Sequence, residues 1–249
     1  MIRNFFAVAR LFLFSSYLLS GLGLAIILSL LLGKSWYTNS VGSWIKVVWT
    51  KGVAIILGLN IKRFGKASGE PRLIVSNHIS WLDIVAISAY QPCVFIAKSS
   101  VINWPVIGFL ASISGTLFLD RQNRKDLNNV MQKGKAAIDD GISLVFFPEA
   151  TTTDGKQIKS FHPSIYQTAI DVHCATQAIA ISYPEKKNLA SPAPYIDDDT
   201  FVSHLYRILK APGVDVNLHY CTPIPENCHH DRKELAASTQ NQVIEALSI

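Results

Sequence analysis

His78 and Asp83 are the side chains whose types and spacing most directly suggest chemistry. An imidazole can take up a proton near neutral pH, and a neighbouring carboxylate can hold its ring in one tautomer. Both stand in the run Asn77-His78-Ile79-Ser80-Trp81-Leu82-Asp83. On a continuous helix a separation of five would turn the two side chains roughly 140° apart. A turn ahead of the helix removes that limit and lets the carboxylate accept a hydrogen bond from the ring. Ser80 and Asp83 have the spacing of a capping box, which predicts a helix starting at Ser80. Taken alone, these residues fit equally well a plain helix cap beside an ordinary loop histidine.

Such a pair needs a frame. Leu73-Ile74-Val75, just upstream, is a short run rich in β-branched residues and predicts a strand. Open α/β sheets place their ligands at the carboxyl ends of such strands. Three further runs end in the same way: Phe95-Ile96-Ala97 leads to Lys98, and Gly115 to Leu119 leads to Asp120 and Arg121. Leu144 to Phe147 leads to Pro148, Glu149, Ala150 and Thr151. If these strands are parallel neighbours, all four clusters meet on one rim. Lys98 and Arg121 are then candidates to anchor an anionic head by charge-assisted hydrogen bonds. Glu149 is a candidate to position the acceptor or brace Arg121, and Thr151 and Asn77 are candidate substrate contacts. Each has a plainer alternative: solvated strand-end charges, a turn after Pro148, and an asparagine that ties down the turn carrying His78. A base beside a bound anion points to chemistry on a hydroxyl whose molecule also carries a phosphate or another anionic head.

Beyond residue 59 the pattern is that of one folded domain, 60–249. Ile61 to Phe64 predicts an opening strand, and Cys93 to Ala97, Thr116 to Leu119, Ser143 to Phe147 and Ala178 to Ser182 fit strands buried on both faces. Val214, Val216, Leu218 and Tyr220 alternate with polar residues, as a strand near one edge would. Leu127, Val130, Met131 and Ile138 fall at helical spacing, and that segment stops at Gly141. Further helices are predicted after Pro163 and over Lys233 to Leu247. The alternation argues for an α/β fold with a mostly parallel or mixed sheet flanked by helices.

The first 59 residues have another character. Leu11 to Gly33 is 23 positions without a charge, and a helix of that length spans about 35 Å, against a bilayer core of about 30 Å. A cleaved signal peptide competes, but the apolar run is long for one and no clean small-x-small site ends it. Trp36, Tyr37, Trp44 and Trp49 with Lys46 and Lys51 suit the headgroup layer. Residues 1–59 are therefore expected to be membrane-anchoring helices, the second lying on or dipping into the membrane. The chain is 49 % hydrophobic and only 16 % charged, where soluble domains carry about a quarter. A net charge of +5 without any nucleic-acid motif favours an anionic membrane or an acidic substrate as partner, and no nucleic acid. Cys93, Cys174, Cys221 and Cys228 form no disulfide framework, which fits a reduced, cytosol-facing compartment. Cys221, Cys228, His229 and His230 match no zinc spacing, and no metal is expected.

Asn77-His78-x-Ser80-x-x-Asp83 resembles the NHxSxxD block of the glycerolipid acyltransferases related to 1-acylglycerol-3-phosphate acyltransferase. Gly115-Thr116-Leu117-Phe118-Leu119-Asp120-Arg121 is similar to that family's second block, in which the arginine binds the substrate phosphate. Phe147-Pro148-Glu149-Ala150-Thr151-Thr152-Thr153 resembles its FPEGTRS block. The order agrees, the resemblance covers about residues 60 to 222, and the N-terminal membrane helices are also family-like. Three departures bear on substrate. Ala150 replaces a glycine, Thr152 replaces a frequent arginine that helps hold phosphate, and Ala178 to Ser182 lacks the proline of the fourth block. The resemblance implies transfer of a fatty acyl group from acyl-coenzyme A or acyl carrier protein to a lysolipid hydroxyl at the membrane, with no cofactor. Lysophosphatidic acid is the expected acceptor. Lyso-ornithine lipid or a lysophospholipid with a larger head is the alternative, since Thr151 to Gly155 resembles members acting on those. In the implied mechanism His78 is the base, Asp83 orients it, and amides near the helix start stabilise the oxyanion. A lipid-binding protein without activity and a hydrolase that activates water are the competing functions.

Overall fold

The computed structural model of the protein describes residues 2–104, 106–120, 123–185, 190–228 and 231–248. Seven strands, β1 (Leu59–Gly65), β2 (Leu73–Ser76), β3 (Cys93–Lys98), β4 (Leu117–Leu119), β5 (Ser143–Phe146), β6 (Thr176–Ser182) and β7 (Val214–Tyr220), form one sheet. Their order is β1-β7-β6-β2-β5-β3-β4, and every neighbouring pair is parallel except β6 with β7. The strands that end at the four polar clusters are therefore contiguous and point the same way, which puts those clusters on one rim.

Period-two alternation splits the core between the two faces of the sheet. Ile74, Val145, Ile179 and Ile181 face one cluster, which is closed by α2 (Ser40–Leu57), α3 (Leu82–Ser88) and α7 (Phe201–Lys210). Leu73, Val75, Leu144 and Phe146 face the other, closed by α5 (Arg124–Asp139), α6 (Tyr166–Asp171) and α8 (Arg232–Leu247). Strands buried on both sides explain the continuous apolar runs of the sequence.

Composition changes at residue 60, but the core does not. Val53, Ala54 and Leu57 of α2 and Phe14 of α1 (Ile2–Leu32) share the first cluster with the sheet. Ala7, Phe14, Gly21, Ala25 and Leu28 make a buried stripe along α1. Tyr17 stacks on Trp49 with ring centroids 5.6 Å apart. A Cβ at Gly21 would fall 2.2 Å from the Trp49 ring, so only glycine lets the two helices close there. The outer side of α1 is apolar too, with Phe6, Phe12, Leu13, Leu19, Leu30 and Leu31 exposed. Phe6–Leu32 and Ser40–Leu57 are both long and apolar enough to cross a membrane. A helix apolar on all sides needs lipid where it lacks protein.

Two side chains assigned by sequence to the headgroup layer lie elsewhere. The loop at residues 33–39 turns α2 back along the domain, next to α4 (Ile107–Ile113). Lys46 Nζ donates to the carbonyls of Cys93 at 2.8 Å and Ser114 at 3.0 Å. Trp36 is buried, and its Nε1 donates to Ile113 O. Both side chains satisfy carbonyls at the end of α4 or the start of β3. Trp44 remains exposed, as expected.

Arg10 fastens α1 to the domain. Its Nε and Nη2 donate to Ile56 O at 3.1 and 2.9 Å, and its Nη1 donates to Leu209 O and Ala211 O at 2.7 and 3.0 Å. Helix ends leave carbonyls unpaired and carry partial negative charge, so one guanidinium serves the ends of both α2 and α7. Arg10→Met keeps the stem and removes these bonds. It should lower stability by about 2 kcal/mol, the scale of hydrogen bonds to a charged group, read as an earlier thermal midpoint in detergent.

Candidate active site

Asn77 turns the chain out of β2. It is fully buried, its Nδ2 donates to Ile181 O at 2.9 Å, and its Oδ1 accepts from Ile181 N at 2.8 Å. The side chain thus takes the place of the next rung between β2 and β6. Asn77 is a tether, with its amide nitrogen and oxygen both bonded to Ile181.

The backbone of the following three residues is accounted for group by group. His78 N donates to Glu149 Oε1 at 2.8 Å, and His78 O accepts from Thr153 N at 2.9 Å. Ile79 N and Ser80 N donate to Asp83 Oδ2 at 2.8 and 3.0 Å. Ile79 O accepts from Tyr195 N, and Ser80 O accepts from Asp83 N. The helix consequently begins at Leu82, with Trp81 at the cap position, where its side chain makes no capping bond. Ser80 is not the cap predicted for it. Asp83 draws residues 78–80 into a tight turn, and the Ser80 hydroxyl is buried with no partner among the described residues. The amides of Ile79 and Ser80 are engaged by Asp83 and unavailable to an oxyanion.

Asp83 is fully buried and receives two further donors. His78 Nδ1 lies 2.8 Å from Oδ2, and Tyr183 Oη donates to Oδ1 at 2.6 Å. Two of the four donors are backbone N–H groups, which cannot accept, so the network assigns the His78 proton to Nδ1. Nε2 then carries the lone pair, and it has no partner among the described residues. The imidazole stacks on Phe147 with centroids 3.9 Å apart, and about a fifth of the His78 side chain is exposed. Phe147 also lines a cavity of about 210 Å³ with Ile96, Leu119 and Ala150, and His162 and Ser164 supply polar groups in its wall.

Glu149 is buried, and its second oxygen accepts from Lys159 N at 2.8 Å. Burial pushes its pKa up, while the amides of Lys159 and His78 pull it down. Each oxygen accepts from a backbone N–H, so Glu149 fixes the His78 loop. The Thr152 hydroxyl donates to Tyr195 O, which ties the segment around Tyr195 across the same loop. Behind that segment His204 accepts from Trp81 Nε1 at 3.0 Å, and its Nε2 lies 3.0 Å from Ala193 O. Burial lowers the His204 pKa.

Lys98 and Thr151 are exposed, at the end of β3 and on the loop after β5. Arg121 lies outside the described residues, as do His229 and His230. Tyr183, Phe147, Thr153 and Tyr195 were missed from sequence. Tyr183 had a usable signal, because it directly follows an apolar strand, as the other four clusters do.

The Acyltransferase family model matches residues 60–182. A lyso-ornithine lipid O-acyltransferase of Pseudomonas aeruginosa is 36 % identical over 199 residues, covering 80 % of this chain and 76 % of that protein. The chain belongs to the PlsC-like acyltransferase family. A 1-acyl-sn-glycerol-3-phosphate acyltransferase of Neisseria gonorrhoeae is 30 % identical over 167 residues, covering 67 % of this chain and 66 % of that one. The crystal structure of PlsC, the 1-acyl-sn-glycerophosphate acyltransferase of Thermotoga maritima, superposes with a TM-score of 0.73 at 18 % identity, covering 99 % of this chain and 95 % of that one. The chain is an acyltransferase.

Glu149→Gln exchanges one acceptor oxygen for an amino group that must face a backbone N–H. The loss of that bond should cost about 1–3 kcal/mol. Acyl transfer should fall with it, which assays and melting curves of the same preparation would check.

Proposed function

We propose that the protein transfers an acyl group from a thioester to a lysolipid hydroxyl, with His78 as general base and Asp83 as its orienting carboxylate. One observation carries this: Nδ1 is fixed on Asp83, and Nε2 has no partner among the described residues, on a ring whose stacking neighbour lines a mostly apolar cavity. Nε2 takes the hydroxyl proton as that oxygen attacks the thioester carbonyl. The tetrahedral intermediate collapses, the C–S bond breaks, and the departing thiolate recovers the proton from the imidazolium. Thiolate is a good leaving group, so no acyl-enzyme is needed, in keeping with the lack of a G-x-S-x-G elbow. The donor is acyl-coenzyme A or acyl carrier protein. Lys98 and Arg121, at the ends of β3 and of the second block, are the candidate anchors for the acceptor's anionic group.

For the acceptor, lyso-ornithine lipid is favoured over lysophosphatidic acid. The Pseudomonas relative bears that name. Thr152, where the family often has a phosphate-holding arginine, is bonded to Tyr195 O and supplies no positive charge. The Neisseria relative and the cations Lys98 and Arg121 support lysophosphatidic acid as the second reading. The four described cysteines are free, which fits a site on the cytoplasmic side of the membrane.

Purified protein in detergent, given an acyl thioester and a panel of lysolipids, should release thiol only when an acceptor is present, and fastest with lyso-ornithine lipid. Acceptor-independent release would identify a hydrolase. His78→Ala should cost on the order of 10² to 10⁴ in rate while the fold is retained, and near-normal transfer would overturn the mechanism.

A further inference from the structure

Tyr183 is fully committed to the site, although none of the three motif blocks contains it. It closes β6, the strand whose sequence departs from the family pattern by lacking a proline. Its ring is buried, and its Oη donates to Asp83 Oδ1 at 2.6 Å. A buried tyrosine must find some partner for its hydroxyl. What distinguishes this one is that the partner is the carboxylate already bonded to His78 through its other oxygen.

We infer that Tyr183 is a positioning residue that acts on His78 through Asp83, setting how strongly the carboxylate holds the imidazolium formed during acyl transfer. The inference rests on His78 being the base. A hydrogen bond to Oδ1 draws negative charge toward Tyr183 and away from the Oδ2–imidazole contact, so the imidazolium is held less tightly. The base then passes its proton to the leaving thiolate more readily. It also fixes the carboxylate plane from the side opposite the turn. Burial and the Asp83 charge both keep the Tyr183 hydroxyl protonated and donating. The other groups facing this carboxylate are His78, from the loop after β2, and the amides of Ile79 and Ser80; Glu149, from the end of β5, is the nearby second acid.

Tyr183→Phe removes one oxygen and keeps the ring in the core. With the donor gone, Asp83 pulls harder on the imidazolium. The acid limb of the pH–rate profile should therefore move to higher pH by about one unit, the scale of one hydrogen bond to a charged group. The turnover number should drop about tenfold with the acceptor KM unchanged. In ¹⁵N-histidine-labelled protein, the titration midpoint of the His78 ring, assigned by its absence in His78→Ala, should move the same way. That readout needs no catalysis. An unmoved limb and an unmoved ring titration in Tyr183→Phe overturn the inference, whether or not activity or melting temperature falls. If His78→Ala retains transfer, the general-base reading fails instead, and the two failures cannot be confused.

Discussion

One buried carboxylate holds the catalytic end of this protein together. Asp83 collects four donors from two places in the sequence: the turn at residues 78–80, through the His78 ring and the amides of Ile79 and Ser80, and the hydroxyl of Tyr183. A buried charge is costly unless its lone pairs are filled, and here the filling groups are the His78 ring, the turn that carries it and Tyr183. The turn, the tautomer and the helix start are thus consequences of one electrostatic requirement. Removing any of the backbone donors would mean unfolding the turn itself.

Around that centre the sheet works as a set of parallel rails. β2, β5, β3 and β4 run side by side, and their ends deliver the histidine loop, Glu149, Lys98 and the second block to one rim. Glu149 and Thr153, from the end of β5, hold the two backbone polar groups of His78. His78 is therefore gripped from the helix that follows it and from a neighbouring strand. Its position does not depend on the substrate being bound. The apolar helices join the same core through α2 and the Arg10 bonds.

Much of this was legible in the sequence, because the strands are short apolar runs and each functional group sits at the end of one. The same rule, extended to the strand ending at Ser182, would have led to Tyr183. The capping box was misread because Ser80 and Asp83 obey its spacing while only half of it forms: Asp83 reaches back to Ser80 N, and the serine hydroxyl turns inward. Spacing cannot tell those cases apart. Lys46 and Trp36 were misplaced because an amphipathic residue beside an apolar helix suits a headgroup or a protein carbonyl equally well. Only the packing of α2 on α4 decides. Asn77 and Glu149 look like ligands in a motif, and the partners that occupy them, Ile181 and Lys159, lie far away or in a loop with no pattern of its own.

The departures in the third block separate geometry from recognition. Ala150 sits at φ 67°, the left-handed region, where an L-residue pays roughly 1–2 kcal/mol and the family usually has glycine. The strain is sustained because the loop is over-determined around it, by Glu149 on His78 N and by Thr153 on His78 O. Alanine therefore leaves the base where it is. Thr152 is the opposite case: its hydroxyl binds Tyr195 O and closes the rim with a neutral bond, where an arginine would have presented charge. A loop that keeps its backbone and gives up a cation can preserve the chemistry of acyl transfer while changing which lysolipid head it accepts.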